Sequence, residues 1–92
     1  MQIAKVVGHV VSTQKDAKLI GYKLLTVVPM IQNGVFGDAV SVAVDVVGAG
    51  TGEVVLIATG SAARCALDKQ APVDLAIVGI LDTTEIDWFP SP

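Results

Sequence analysis

Glycine stands at every second position over Gly48, Gly50 and Gly52, and the apolar run Val54-Val55-Leu56-Ile57 comes almost at once after it. Nothing else in the chain constrains its fold as tightly. Glycine admits backbone angles closed to other residues, so this stretch is a tight loop. The element that the loop opens decides its kind. A phosphate-cradling loop opens a helix, whose N-terminal amides hold the anion; this one opens a strand. The order Gly48-x-Gly50-x-Gly52 also lacks the third glycine at the dinucleotide spacing, and Glu53-Val54 stand where a P-loop requires Lys and then Ser or Thr. Two readings remain. One is a glycine turn between strands; the other is a loop where backbones of neighbouring chains approach closely.

A chain of 92 residues makes one domain, residues 1–92, with a variable tail at about 83–92. A domain this short buries only about 60–65% of its unfolded surface. Yet 52% of its residues are hydrophobic and only 16% charged, against roughly 25% charged in an average soluble domain. Sixteen valines and seven isoleucines carry much of that excess, and these are strand formers. Some of the apolar surface is therefore expected to face another chain.

Other partners are argued against. No uninterrupted apolar stretch reaches the roughly 18–20 residues that span a bilayer, and Lys5 comes too early for a signal-peptide core. The single Cys65 rules out an internal disulfide framework and fits a reducing cytoplasm. A formal net charge of −3 argues against nucleic acid, which calls for a basic face.

Turn signals divide the chain into five apolar segments: Ile3 to Ser12, Tyr22 to Met30, Val40 to Val47, Glu53 to Thr59 and Val73 to Asp82. Asn33-Gly34 is a strong turn signal between the second and third. Ser61 suits a helix N-cap, and the Ala-rich run after it suits a short helix. The expected fold is mainly all-β: a small five-stranded, OB-like β-barrel with one short helix before the last strand. In the third segment Val40, Val42, Val44 and Val46 point one way, and Ser41, Ala43 and Asp45 the other. The last segment is apolar on both faces, and in a one-domain chain a second chain is the expected cover.

Catalysis finds little to work with. His9 is the only histidine and reads as a surface or interface residue beside Lys5. One Cys and one His fall short of a zinc site. No catalytic residue, metal ligand or cofactor site is assigned. Asp45 and Glu53 flank the glycine loop and are read as bonding local backbone or a neighbour's cation. Asp74 and Asp82 bracket the last strand as solvated ends. Arg64, the only arginine, suits either a carboxylate or carbonyls of a neighbouring chain, or a solvated helix charge. Trp88 and Phe89 either cap the barrel, pack on a neighbour or stay loose.

Three stretches together resemble the bacterial microcompartment vertex proteins, the family that includes the carboxysome and ethanolamine-utilisation vertex proteins. The first is Gly8-x-Val10-Val11-Ser12-Thr13-x-Lys15, continuing to Leu19-x-Gly21-x-Lys23-Leu24-Leu25-x-Val27. The second is Val42-Ala43-Val44-Asp45-x-Val47-Gly48-Ala49-Gly50-x-Gly52-Glu53, with Gly60-Ser61-x-Ala63-Arg64 after it. The third is Pro72-Val73-Asp74, then Ile77-Val78-Gly79-Ile80-x-Asp82. Val54 departs from relatives that carry Trp at that place.

The resemblance implies a non-enzymatic subunit that forms homopentamers and caps the vertices of a polyhedral shell in the bacterial cytoplasm. Its partners would be the hexameric and trimeric shell proteins. By the same likeness Gly48, Ala49 and Gly50 line the opening on the fivefold axis. Gly52, Glu53, Gly60, Ser61 and Arg64 are placed in subunit contacts. Catabolic and carboxysomal shells both stay open, with the catabolic type preferred. The rivals are a non-vertex oligomer, a small enzyme using the glycine loop, and an OB-like single-stranded nucleic-acid module. The last would need a basic groove with stacking aromatics, and Tyr22 is the only aromatic in the five segments.

Overall fold

Period-two alternation sorts each strand's side chains between the inside of a barrel and its wall. The computed structural model describes residues 1–67 and 71–88. Its strands are β1 (Gln2–Val10), β2 (Lys23–Gln32), β3 (Val35–Phe36), β4 (Ser41–Asp45), β5 (Val54–Thr59) and β6 (Leu75–Ile80), with one helix, α1 (Gly60–Cys65). Five of them close in the order β1-β2-β4-β6-β5 and back to β1. All pairings are antiparallel except β4 with β6, where Val44 lies opposite Ala76 and Asp45 opposite Ile77.

The five expected segments are the five barrel strands, with ends shifted by one or two residues. One element was not foreseen. Asn33-Gly34 does turn the chain, but into the two-residue β3, which pairs back on β2 before β4 begins.

Inside the barrel, Val6, Leu25, Val55, Ile57 and Ile77 are almost fully buried. Each contributes about 1.5–3 kcal/mol relative to exposure. Ala4, Ala43 and Ala49 fill the space between them, as a narrow barrel requires small side chains beside large ones. So β4 turns Ala43 and Asp45 inward and its valines outward. Val44 is covered, while Val40 and Val42 remain exposed at 61% and 46%.

A second core lies outside the barrel wall, where Ala58, Ala63, Ala71, Val73 and Ala76 pack with Val44. This corrects the expectation for the last strand. At Ala76 and Val78 the outer face of β6 is covered by α1 and the segment leading into β6, within the same chain, while Ile80 at the strand end stays 43% exposed. The helix differs from expectation too. It begins at Gly60, with Thr59 at the N-cap making no side-chain capping bond, so Ser61 lies in the first turn rather than at the cap. Trp88 is half-buried; the reading of Phe89 lies outside the described residues.

Candidate functional site

The loop between β4 and β5 is shaped by two carboxylates, one buried beneath it and one exposed within it. Asp45, the last residue of β4, turns into the barrel end with 1% of its side chain exposed. Its Oδ1 accepts hydrogen bonds from the amides of Val47 and Gly48, both at 3.1 Å, and Oδ2 accepts from Ala49 at 2.9 Å. Three successive amides converging on one anion form a nest, and here the anion is the chain's own. Glu53 takes the fourth amide, with Oε1 accepting from Gly50 at 2.6 Å. The reading of Asp45 and Glu53 as backbone acceptors therefore stands. With these amides occupied, the loop has none of them left for a phosphate.

Main-chain bonds tie the loop to β1. The Gly52 amide donates to the Val6 carbonyl at 2.7 Å, and the Val6 amide donates to the Glu53 carbonyl at 2.9 Å. Lys23, opposite Asp45 across the β2–β4 pair, donates from Nζ to the Ala49 carbonyl at 3.0 Å and lies 3.9 Å from Asp45 Oδ2. Sequence reasoning assigned Lys23 no role. The available signal was a lysine opening an apolar strand, facing an aspartate that closes its antiparallel neighbour.

The three glycines are not equivalent. Gly48 and Gly52 have φ of +83° and +90°, which other residues adopt only at a cost of roughly 1–2 kcal/mol. Gly50 does not have positive φ, and a Cβ there would meet only Glu53 Oε1, at 3.3 Å. Gly48 is exposed and Gly50 half-buried, whereas the Ala49 methyl plugs the barrel end at 1% exposure. Ala49 is thus turned inward as a whole residue, and Gly48 and Gly50 are what the loop presents to the outside.

The remaining candidates form a separate group. Gly60, Ser61 and Arg64 sit on α1, at the far end of β5 from Gly52 and Glu53. Six strand residues at about 3.3 Å each put the two groups roughly 20 Å apart. The Gly60 amide donates to the Asp74 carbonyl at 2.9 Å. Ser61 is exposed. Arg64 donates from Nη1 to the Val73 carbonyl at 3.2 Å, so it bonds a carbonyl of its own chain and pins α1 to the segment before β6. His9 is exposed on β1.

This barrel and loop have known counterparts. The family described as "Ethanolamine utilisation protein EutN/carboxysome" matches residues 1–82. The microcompartment shell vertex protein GrpN of Rhodospirillum rubrum is 44% identical over 86 residues, covering 92% of this chain and 97% of its own. The carboxysome shell vertex protein CcmL of Nostoc is 52% identical over 89 residues, covering 95% and 88%. The microcompartment shell vertex protein PduN of Salmonella typhimurium is 49% identical over 90 residues, covering 90% and 97%. The solved structure of GrpN, described as a pentameric microcompartment shell protein, matches with a TM-score of 0.80 over 89% of this chain and 95% of that one, at 43% identity. The Nostoc CcmL structure matches with a TM-score of 0.81 over 89% of each chain, at 52% identity. Carboxysomal and other microcompartment relatives thus lie at comparable identity. Matched over nearly its whole length in sequence and in fold, the chain belongs to the EutN/CcmL family of bacterial microcompartment shell vertex proteins.

Proposed function

We propose that this chain is a non-enzymatic shell subunit that assembles as a homopentamer and closes the vertices of a polyhedral microcompartment. In this reading it sits among hexameric and trimeric shell proteins in the bacterial cytoplasm. The observation that carries it is the uncovered apolar wall at Val40 and Val42, on a chain that already buries Val6, Leu25, Val55, Ile57 and Ile77 in its own core. Contiguous apolar surface of this kind marks an interaction face. The pentameric form of the related GrpN supports the number five.

Gly50 supports the placement of the loop at the fivefold axis. Its own subunit does not require a glycine there by conformation, and a Cβ would press only the exposed Glu53 carboxylate that accepts from the Gly50 amide. Close approach of five copies of the loop supplies the missing reason. Gly48 and Gly50 then border the opening, with Ala49 buried between them, and Gly52 and Glu53 flank it toward the next subunit. Gly60, Ser61 and Arg64 serve subunit contact at the other end of β5. Arg64 acts there through Val73, whose carbonyl it holds.

Native mass spectrometry tests the reading: the expected species is five copies of a 9.5 kDa chain, and a stable monomer overturns it. Gly50→Asp is expected to leave the barrel folded and impair the pentamer by crowding like charges at the axis; an unchanged pentamer would remove Gly50 from the axis. A shell-closure assay, comparing sealed and leaky compartments with and without this chain, tests the vertex role. Gene neighbours in the host decide between catabolic and carboxysomal shells.

A further inference from the structure

We infer that the subunits join head to tail, the outer face of β4 in one seated against the outer face of β1 in the next. The inference rests on the pentameric reading and adds to it which surfaces meet. A ring of five cannot be closed by self-complementary twofold contacts, so each subunit must offer two unlike patches.

The barrel wall leaves two such patches. The outer sides of β5 and β6 lie under α1 and the segment before β6, with Ala58, Ala63 and Ala76 buried between them. Leu24 on β2 and Val44 on β4 belong to that same packed layer, together with Leu19 and Tyr22. The first half of β4 and the outer face of β1 stay open, and these strands are not neighbours in the barrel; Ile31, Val35, Val46, Val47 and Ile80 are exposed too, but at strand ends and in the β4–β5 loop.

The β4 patch carries exposed Val42 and, two residues earlier, Val40. Val42 lines a shallow groove of about 190 Å³ with Leu19, Pro72, Val73 and Asp74. The β1 patch carries Val7, 44% exposed at the bulge that breaks the β1–β2 register, beside Lys5. Lys5 lies 4.8 Å over the Phe36 ring, which fixes its position on the wall. One patch is a mostly apolar groove with Asp74 in its lining, and the other is an exposed valine with a cation beside it. Their charges are complementary, and opposite charge across an interface sets register and suppresses wrong pairings.

Val42→Lys and Val7→Lys each spoil one patch and leave the other intact. Both sites are exposed, and circular dichroism checks that each variant folds; should Lys at either site unfold the chain, Val42→Ser and Val7→Ser carry the same test. Wild type is expected to run as five chains and each variant alone as one. An equimolar mixture, one variant isotopically labelled, is expected to give two-chain species containing one of each and nothing larger, across a concentration series. Either variant remaining pentameric alone overturns the assignment, as does a mixture that yields only single chains or full rings. Failure of wild type itself to form five chains is a different result, and it overturns the pentameric reading on which this rests.

Discussion

Replacing Asp45 by Asn tests whether a buried carboxylate, rather than glycine content, holds the β4–β5 loop in shape. The substitution keeps volume and shape and removes one acceptor atom. In the native arrangement Oδ1 serves Val47 and Gly48, and Oδ2 serves Ala49. With Asn in the same rotamer, the side-chain NH2 points at the Ala49 amide 2.9 Å away, donor against donor. Flipping the amide is worse, because the NH2 then opposes two amides. One bond to a charged acceptor is lost, at about 1.5–3 kcal/mol, and the Ala49 amide is left unsatisfied in a buried place. These costs overlap, so the expected loss is about 3 kcal/mol, and in a domain of this size that lowers the melting temperature by roughly 12–24 °C. The assay is urea unfolding at one fixed subunit concentration, because assembly adds to apparent stability. Hydrogen exchange at the Ala49 amide provides the local readout. A loss below about 1 kcal/mol with Ala49 still protected would refute the reasoning, since a buried donor facing a donor cannot be that cheap.

Gly48→Ala is expected to cost about 1–2 kcal/mol through its φ of +83°, while Gly50→Ala leaves the stability of the dissociated subunit nearly unchanged; equal losses in chemical denaturation would refute the distinction. Arg64→Ala should raise the subunit dissociation constant by freeing the segment around Val73, read by sedimentation across a dilution series, and an unaltered constant would leave Arg64 a local strut only. Asp82 accepts bonds from the Thr84 hydroxyl at 2.7 Å and the Thr84 amide at 3.0 Å, which hold its carboxyl below the usual range, the hydroxyl bond contributing most. A depressed carboxyl pKa stabilises the fold above the unfolded pKa, and that contribution disappears as pH falls through the folded value. By NMR titration, Thr84→Val should raise the Asp82 midpoint part of the way, because the amide bond survives; no movement would refute the assignment.

The barrel was legible because alternation and turn chemistry act locally. The β-branched run from Val54 to Thr59 read as a strand directly, and that reading excluded a helix-opening loop before it. Asn33-Gly34 read correctly as a turn, yet a strand as short as Val35–Phe36 carries no periodicity of its own. The direction of β4 was harder. Alternation puts its valines on one face without saying which face is inside; Ala43 packs in the barrel core and Asp45 turns into its end, so the valines go out. Cover for β6 was misjudged for a related reason. Apolar residues on both faces show that two surfaces are buried, not what buries them, and here α1 and Val73 from the same chain do so. Ser61 has the chemistry of a cap, but α1 starts directly from the end of β5 at Gly60 with Thr59 at the cap, two residues too early for it.

The carboxylate beneath the glycine loop explains how such a loop stays ordered at all. A loop that brings main chain close to other copies cannot be anchored by bulky side chains on its exposed side, since those would occupy the space the neighbours need. Glycine satisfies that requirement and removes the packing that would hold the loop still, because its backbone loses the most entropy on ordering. Order must therefore come from the inner side. Asp45 supplies it by binding three consecutive amides, from Val47 to Ala49, and the Ala49 methyl anchors the middle in the barrel core, while the exposed Glu53 holds the Gly50 amide within the loop itself. The same arrangement that disqualifies the loop as a phosphate cradle suits it to be a rigid collar: its hydrogen-bonding capacity is spent on its own chain, and its outer surface is left small.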